Sequence, residues 1–108
     1  LRLFEMVIMN IVTNSINYNK NKRPALKIEF SRNTKNYIID FIDNGVGIEK
    51  SELKNVFKKM YQIGKTTKGS GLGLYLVQNI IKMHKGEIAT FSEGIGKGTT
   101  FRIKLPLK

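Results

Sequence analysis

The residues best suited to chemistry fall into four short blocks that follow one another along the chain. They are residues 10–14 (Asn-Ile-Val-Thr-Asn), 43–47 (Asp-Asn-Gly-Val-Gly), 69–73 (Gly-Ser-Gly-Leu-Gly) and 96–100 (Gly-Lys-Gly-Thr-Thr). Amide oxygens can ligate a hard cation, and a carboxylate can accept a hydrogen bond from an amino group. Glycine-rich backbone can bring N–H groups close to phosphate. Together the blocks supply the groups that a nucleotide pocket requires.

Each block has a simpler interpretation when it is taken alone. Residues 69–73 open a helix and could mark close packing, since they lack the Gly-Lys-Ser/Thr ending of a P-loop and do not follow a strand. Gly94, Gly96 and Gly98 fit a hairpin turn, and an isolated Asp43 is typical of a turn or cap. The nucleotide interpretation therefore depends on all four blocks together.

The first segment, residues 1–19, predicts a helix that is apolar on nearly all sides and therefore buried. Asn10, Thr13, Asn14 and Asn17 follow the spacing that places side chains on one stripe of a helix. Buried amides cost free energy unless they are hydrogen-bonded. The stripe either caps neighbouring loops as a polar network or faces a ligand, and the spacing alone does not choose.

Two hairpins are predicted. Apolar and charged residues alternate from Leu26 to Phe30, and residues 37–42 form a second strand that runs directly into Asp43. The short polar connection between them predicts antiparallel pairing. Residues 87–92 and 99–105 predict the other hairpin, which Pro106 ends.

Two further helices are predicted, a short one at residues 51–58 and a longer one at 71–85 that stops at Gly86. Polar, aperiodic residues 62–70 lie between them and predict a mobile lid. The short helix should turn inward Leu53, Val56 and Phe57, and the long one Leu72, Leu76, Ile80 and Met83. Helices beside hairpins favour an α+β fold, with helices on one face of a mostly antiparallel sheet.

Composition limits the class of protein. The chain has 108 residues, enough for one domain, with 19 basic and 8 acidic residues and a formal net charge of +11. The excess charge favours a polyanionic partner, most clearly where lysines precede the block at 69–73. The absence of cysteine excludes disulfides and thiolate metal sites. No segment predicts a membrane span or signal peptide, so we expect a cytosolic domain.

The order and spacing of the blocks resemble one family. Over its whole length the chain is similar to the catalytic ATP-binding domain of sensor histidine kinases, in the GHKL superfamily with gyrase, MutL and the heat-shock chaperones. The resemblance includes the phenylalanine-box region at 56–61, the extended glycine block at 69–77 and the motif at 98–101. It implies a Bergerat fold, a two-layer α/β sandwich with a mixed, mostly antiparallel sheet. It also implies that residues 1–108 lack the first edge strand and the upstream phosphoacceptor domain.

The resemblance implies that the blocks bind ATP and Mg²⁺. Asn14 would coordinate Mg²⁺ and Asn10 would support the metal or the phosphates, which makes both catalytic residues. Asp43 would accept a hydrogen bond from the adenine amino group, Thr99 would assist through a water, and Tyr18 would flank the base. Other nucleotide contacts are expected from backbone or charge at Gly45, Gly47, Lys65, Lys68, Gly69, Ser70, Gly71, Leu72 and Gly73.

The chain departs from the family pattern at three positions. Asn17 stands where a lysine is usual, Gln62 where an arginine often occurs, and Met60 where phenylalanine is common. These differences are expected to change the nucleotide affinity or the reaction rate more than they change the fold. Lys58, Lys59 or the lid lysines could compensate in charge, although a lysine does not reproduce the arginine fork.

The resemblance also separates kinase from hydrolase. Superfamily ATPases carry a glutamate where this chain has Asn10, and a neutral amide cannot act as a general base near neutral pH. The implied reaction is transfer of the γ-phosphoryl group to a protein histidine. His84, the single histidine, is expected to pack at a helix C-terminus. The acceptor is therefore expected on an upstream helical dimerisation domain.

Implied partners are that domain, a response regulator and a second copy of the full-length protein, with no nucleic acid. A membrane enters only through a full-length bacterial sensor, whose catalytic domain is cytoplasmic. Alternatives are an anti-sigma-type serine kinase, a hydrolysing GHKL ATPase and a non-catalytic nucleotide-binding or docking module. A nucleic-acid binder is least favoured, because few aromatic residues are interleaved with the basic clusters.

Overall fold

The computed structural model describes residues 2–58 and 73–107. In chain order these form α1 (Arg2–Asn17), β1 (Leu26–Arg32), β2 (Asn36–Asp43), a short 3₁₀ helix (Lys50–Asn55), α2 (Gly73–Met83), β3 (Glu87–Phe91) and β4 (Thr99–Pro106). The lid predicted at 62–70 lies outside the described residues.

The four strands form one sheet in the order β1-β2-β4-β3, and every neighbouring pair is antiparallel. Both predicted hairpins are confirmed. In the turn between β1 and β2, the Asn33 side-chain oxygen accepts hydrogen bonds from the N–H groups of Lys35 (2.8 Å) and Asn36 (2.7 Å). Asparagine is favoured in turns for this reason. The α+β class is confirmed as well.

The core lies between one face of the sheet and the two α-helices. Phe41 and Phe101 are directly paired across β2 and β4 and are both buried. The remaining buried members of this core cluster are Val7, Ile11, Val77, Ile80, Ile81 and Ile103. Full burial of such side chains contributes about 1.5–3 kcal/mol each. The core therefore fixes α1 and α2 on the same side of the sheet.

Burial of α1 on nearly all sides is a wrong prediction. Its buried residues are Val7, Ile11 and Ser15, whereas Met9 is 61% and Ile16 68% exposed. The buried residues recur every four positions and form one stripe. Apolar composition could not locate that stripe, because apolar side chains occur on the other side of α1 too. Within the described ranges, no helix combines the length and apolarity needed to cross a membrane.

The inward face of α2 also differs from the prediction. Its buried residues are Val77, Ile80 and Ile81, while Leu76 and Met83 are exposed. Ile80 is thus the one confirmed member of the predicted face within the described residues, and Leu72 lies outside them. The sequence has apolar residues at adjacent positions, so two neighbouring faces fitted the helical period equally well.

The end of α2 is capped by Lys85. This residue has a left-handed φ of 61°. Its N–H donates to the Lys82 carbonyl at 2.9 Å, and the N–H of Gly86 donates to the Ile81 carbonyl at 2.9 Å. This is the Schellman arrangement, which usually places glycine at the left-handed position. Gly86 has another role, because a Cβ there would lie 2.5 Å from the Lys104 carbonyl of β4. The prediction of a glycine stop is therefore off by one residue.

The short helix predicted at 51–58 is a 3₁₀ helix over Lys50–Asn55. Val56 follows it and is buried, and Phe57 packs edge-on against Phe101 with ring centroids 6.2 Å apart. Leu53 is half-buried. This segment therefore covers part of the core beside the sheet.

Candidate nucleotide-binding site

A small cleft lies where β2 ends and β4 begins, next to the second half of α1. Its walls are formed by Asn14, Tyr18, Asp43, Val46, Gly47, Ile48 and Thr99. Five of these are predicted site residues, although they are separated by as many as 85 positions, from Asn14 to Thr99. The cavity between them has a volume of ≈ 20 Å³, which is room for about one water molecule. The described residues thus bring together the base and metal ends of the predicted site.

Asp43 is the best-defined group in the cleft. It is the last residue of β2 and pairs with Leu26 on one side and Thr99 on the other. Its Oδ1 accepts hydrogen bonds from the N–H of Gly45 at 2.8 Å and from the N–H of Thr99 at 3.1 Å. No group among the described residues donates to its Oδ2. One carboxylate oxygen is therefore fixed by the backbone, and the described residues leave the other free to accept a hydrogen bond from a ligand.

Asn14 lines the same cleft. Within residues 2–58 and 73–107, its side-chain amide makes no hydrogen bond. An amide oxygen in this state is a suitable ligand for a hard cation such as Mg²⁺. The described part of the chain has no cluster of three or more carboxylate, histidine or cysteine side chains that could hold a metal. Asn14 is thus a candidate metal ligand in the described cleft.

Asn10 is oriented differently from Asn14. Its Nδ2 donates to the Met6 carbonyl at 2.7 Å, and its Oδ1 lies 2.8 Å from where a Cβ on Gly73 would be. The amide therefore sits against the first residue of α2. The two other polar residues of the predicted stripe, Thr13 and Asn17, are exposed and half-buried respectively. The stripe is divided between the cleft, the start of α2 and solvent.

Tyr18 connects α1 to the turn that follows Asp43. Its carbonyl accepts a hydrogen bond from the N–H of Val46 at 3.0 Å, and its side chain lines the cleft. Partial burial raises the pKa of the phenol above its usual value. Tyr18 thus presents a neutral ring to the cleft at physiological pH.

The glycines around the cleft allow separate backbone segments to pack closely against one another. A Cβ on Gly45 would lie 2.8 Å from the Tyr18 carbonyl. Gly47 has a φ of 77°, and a Cβ there would overlap the Gly94 carbonyl. Gly98 has a φ of 75°, and a Cβ there would overlap the carbonyl of Asp43. These positions require glycine for packing whether or not a nucleotide is close.

The central glycine block is largely beyond the described residues. Gly73 is described as the first residue of α2. The other predicted contacts in this region, which lie outside residues 2–58 and 73–107, are Lys65, Lys68, Gly69, Ser70, Gly71 and Leu72. Their roles remain predictions, as do the consequences of Met60 and Gln62.

Asn44 is a site residue that the sequence analysis missed. Its Oδ1 accepts from Asn19 Nδ2 and from the Ala25 N–H, both at 2.8 Å, and its Nδ2 donates to the Arg23 carbonyl at 2.9 Å. It fastens the segment after α1 to the turn beside Asp43. The available signal was its place inside block 43–47, since asparagine often bonds to backbone in turns.

The chain matches one family model over residues 1–108, described as histidine kinase-, DNA gyrase B- and HSP90-like ATPases. The chain belongs to this family. It is 40% identical over 106 residues to the sensor protein RprX of Bacteroides fragilis, covering 94% of this chain and 20% of RprX. It is 36% identical over 105 residues to the histidine-protein kinase ArlS of Staphylococcus aureus, covering 93% of this chain and 23% of ArlS.

A solved structure shares this fold. Full-length ShkA in complex with AMPPNP superposes with a TM-score of 0.82 and 20% identity, covering 96% of this chain and 21% of ShkA. The chain thus spans about a fifth of RprX, and a similar share of ArlS. The predicted assignment to the ATPase domains of sensor histidine kinases is confirmed.

Proposed function

We propose that this ATPase domain binds ATP with Mg²⁺ and transfers the γ-phosphoryl group to a histidine on a separate helical domain of the same protein. The observation that carries the proposal is the Asp43 carboxylate, which has one oxygen held by two backbone N–H groups. Its other oxygen is available in a cleft shared with Asn14. ShkA, which has the same fold, was solved in complex with AMPPNP.

Recognition of the base follows from the Asp43 geometry. The exocyclic nitrogen of adenine is a hydrogen-bond donor, whereas guanine carries a carbonyl oxygen at the corresponding position. A carboxylate oxygen accepts and cannot donate when it is ionised. Asp43 Oδ2 would therefore bind the adenine amino group and repel guanine. Thr99 lines the cleft beside it, where the volume suits one bridging water.

Metal binding is assigned to Asn14. Mg²⁺ is usually held by one or two protein oxygens together with waters and substrate phosphates. An amide oxygen on α1 at the side of the cleft fits that requirement without a carboxylate cluster. When bound, the ion would neutralise charge on the phosphates during phosphoryl transfer. Asn10, one turn earlier and next to Gly73, would support the phosphates at the start of α2.

A protein acceptor is favoured over water because of Asn10. Its amide is neutral and donates to the Met6 carbonyl, so it cannot remove a proton from an attacking water. Hydrolysis by this domain alone is therefore expected to be slow.

His84 does not fit the role of acceptor. Its Nδ1 lies 2.8 Å from the Ile80 carbonyl, and its ring packs on Phe4 with centroids 5.7 Å apart. It follows the end of α2, whereas Gly73 and Asn10 meet at the start. A helix of this length separates its ends by about 15 Å. We therefore assign the acceptor to an upstream dimerisation domain in a homodimeric sensor, with a response regulator receiving the phosphoryl group.

A domain that uses ATP requires a compartment that supplies it. We therefore assign this domain to the cytoplasmic side of a bacterial membrane-bound sensor. We propose no nucleic-acid partner for this domain.

Labelling of the full-length protein with γ-³²P-ATP tests the proposal. We expect label on the protein that is lost in acid and kept in base, as for phosphohistidine. Asn14→Ala should remove the label, while Asn33→Ala, a matched change in the turn between β1 and β2, should keep it. Label that survives acid would favour the serine kinase alternative. Phosphate release without label would favour a hydrolase, and the absence of saturable binding at millimolar Mg-ATP would favour a docking module.

A further inference from the structure

A single hydroxyl group joins two segments beside the cleft. Ser92 directly follows β3, and its Oγ accepts a hydrogen bond from the Ile48 N–H at 3.0 Å. The same hydroxyl lies 2.7 Å from the carbonyl of Gly98, to which it donates. It also accepts a longer hydrogen bond from the Gly94 N–H at 3.3 Å. One side chain thus links the segment after Asp43 to the beginning and the end of the turn between β3 and β4.

Two of these partners belong to, or directly precede, residues that line the cleft. Ile48 itself lines the cleft. Gly98 immediately precedes Thr99, which also lines the cleft and whose N–H holds Asp43 Oδ1. The Ser92 hydroxyl therefore connects the cleft wall at Ile48 with the cleft wall at Thr99, and Ser92 is not itself among the lining residues.

Much of the turn between β3 and β4 is exposed. Its residues Glu93, Ile95, Gly96 and Lys97 are exposed, and Ile95 is 63% exposed. A backbone hydrogen bond also joins the turn to the segment after Asp43, from the Gly96 N–H to the carbonyl of Val46 at 2.7 Å, and Gly47 packs closely on the Gly94 carbonyl. Within the described residues, Ser92 provides the side-chain hydrogen bonds between the two segments. They act together with the close packing of Gly98, which is buried against the Asp43 backbone.

We propose that Ser92 is a positioning residue for the base end of the nucleotide site. Its hydroxyl sets the separation between the wall at Ile48 and the wall at Thr99, and so the fit of the base beside Asp43. Ser92 acts through these residues and does not touch the nucleotide. The inference rests on the proposed function, since it presupposes that the cleft receives adenine.

Titrations of the folded domain with Mg-ATP and Mg-ADP test this role in Ser92→Ala, Ser92→Thr and the control Ser31→Ala. Loss of one or two hydrogen bonds should weaken Ser92→Ala binding about tenfold. The Kd values for ATP and ADP should rise by the same factor, because the substitution acts at the end of the site that holds the adenine base. Ser92→Thr keeps the hydroxyl and should restore most of the affinity. Ser31 lies on exposed β1, so its replacement should change nothing.

Hydrogen exchange adds a readout that does not depend on nucleotide. The Ile48 amide should exchange faster in Ser92→Ala than in wild type, while amides of β2 and β4 keep their protection. A merely structural role would instead raise exchange throughout the sheet.

Three results would overturn the inference. They are wild-type affinity in Ser92→Ala, a loss confined to ATP, and a Ser92→Thr variant that binds no better than Ser92→Ala. If the wild-type domain itself binds no nucleotide, the proposed function fails first. The wild-type titration thus separates the two failures.

Discussion

The exchange Asp43→Asn tests the assignment of the base site with little change in shape. Asparagine keeps one side-chain oxygen, which can still accept from the N–H groups of Gly45 and Thr99 as Oδ1 does now. An NH₂ group then replaces Oδ2 in the cleft, so a donor stands where wild type has an acceptor. Asp43→Ala is a poorer probe, because each N–H left unpaired would cost about 1–3 kcal/mol of stability.

The expected loss follows from one hydrogen bond to a charged group. Such a bond contributes about 1.5–3 kcal/mol, which corresponds to about 10- to 150-fold in the Kd for ATP. Guanine presents a carbonyl to the new NH₂ group, so the affinity for GTP should rise. The ratio of ATP affinity to GTP affinity should therefore fall by a larger factor than the ATP affinity itself.

Isothermal titration with Mg-ATP and Mg-GTP measures both affinities, and a thermal melt verifies that Asp43→Asn remains folded. The backbone contacts persist in this variant, but they lose the assistance of the charge. Its melting temperature should therefore fall only modestly. Wild-type ATP affinity in a folded Asp43→Asn domain, or an unchanged ATP-to-GTP ratio, would refute the assignment.

Three further predictions concern the metal, the turns and the loop after α1. Asn14→Ala should abolish the Mg²⁺ dependence of nucleotide binding without lowering the melting temperature, which titration with and without Mg²⁺ measures; an unchanged metal dependence would contradict it. Gly98→Ala should destabilise the domain by more than the roughly 1–3 kcal/mol of a left-handed alanine, since its Cβ also overlaps a carbonyl of β2. Gly96 also has a positive φ, but a Cβ there would meet open space, so Gly96→Ala should cost only the backbone strain. Equal losses of unfolding free energy in urea for the two variants would disprove the overlap at Gly98. Asn44→Ala removes three hydrogen bonds, so it should lower the free energy of unfolding in urea by about 2–3 kcal/mol and weaken ATP binding. The control Asn33→Ala should lower stability without changing the affinity for ATP. Equal ATP affinities in the two variants would count against a role for the loop after α1.

The strands and the position of Asp43 were predictable from local rules. Alternating residues predicted the strands, and short polar connections predicted their antiparallel pairing. The one buried face expected for β1 is wrong, because Ile28 and Phe30 are exposed. Asp43 was nevertheless placed correctly at the end of β2. Its two backbone donors were not predicted, because the Thr99 N–H comes from a strand far along the chain.

The helices were harder to predict in detail. Their extents followed from periodicity, but α1 and α2 carry apolar residues on more than one face. Met9 and Met83 were therefore indistinguishable by type from buried positions, and only packing against the sheet decides. The left-handed cap at Lys85 shows a similar limit, since the neighbouring Gly86 matched the usual sequence rule but was needed for contact with β4.

The residues that shape the site were the least accessible to sequence reasoning. Asn14 and Asp43 could be assigned because the resemblance gave them roles. Ser92 and Asn44 have ordinary local sequences, and their hydrogen bonds reach segments 44 and 19–25 positions away. Such pairings depend on the tertiary fold rather than on any local pattern.

The central claim is that the amide of α1 and the acid of β2 bind one nucleotide together. A crystal structure of the domain with Mg²⁺ and a non-hydrolysable ATP analogue tests it most directly. We predict the adenine amino group within hydrogen-bonding distance of Asp43 Oδ2, and the metal ligated by Asn14 Oδ1. A nucleotide bound elsewhere, or in this cleft with its base away from Asp43 and its metal away from Asn14, would contradict the account.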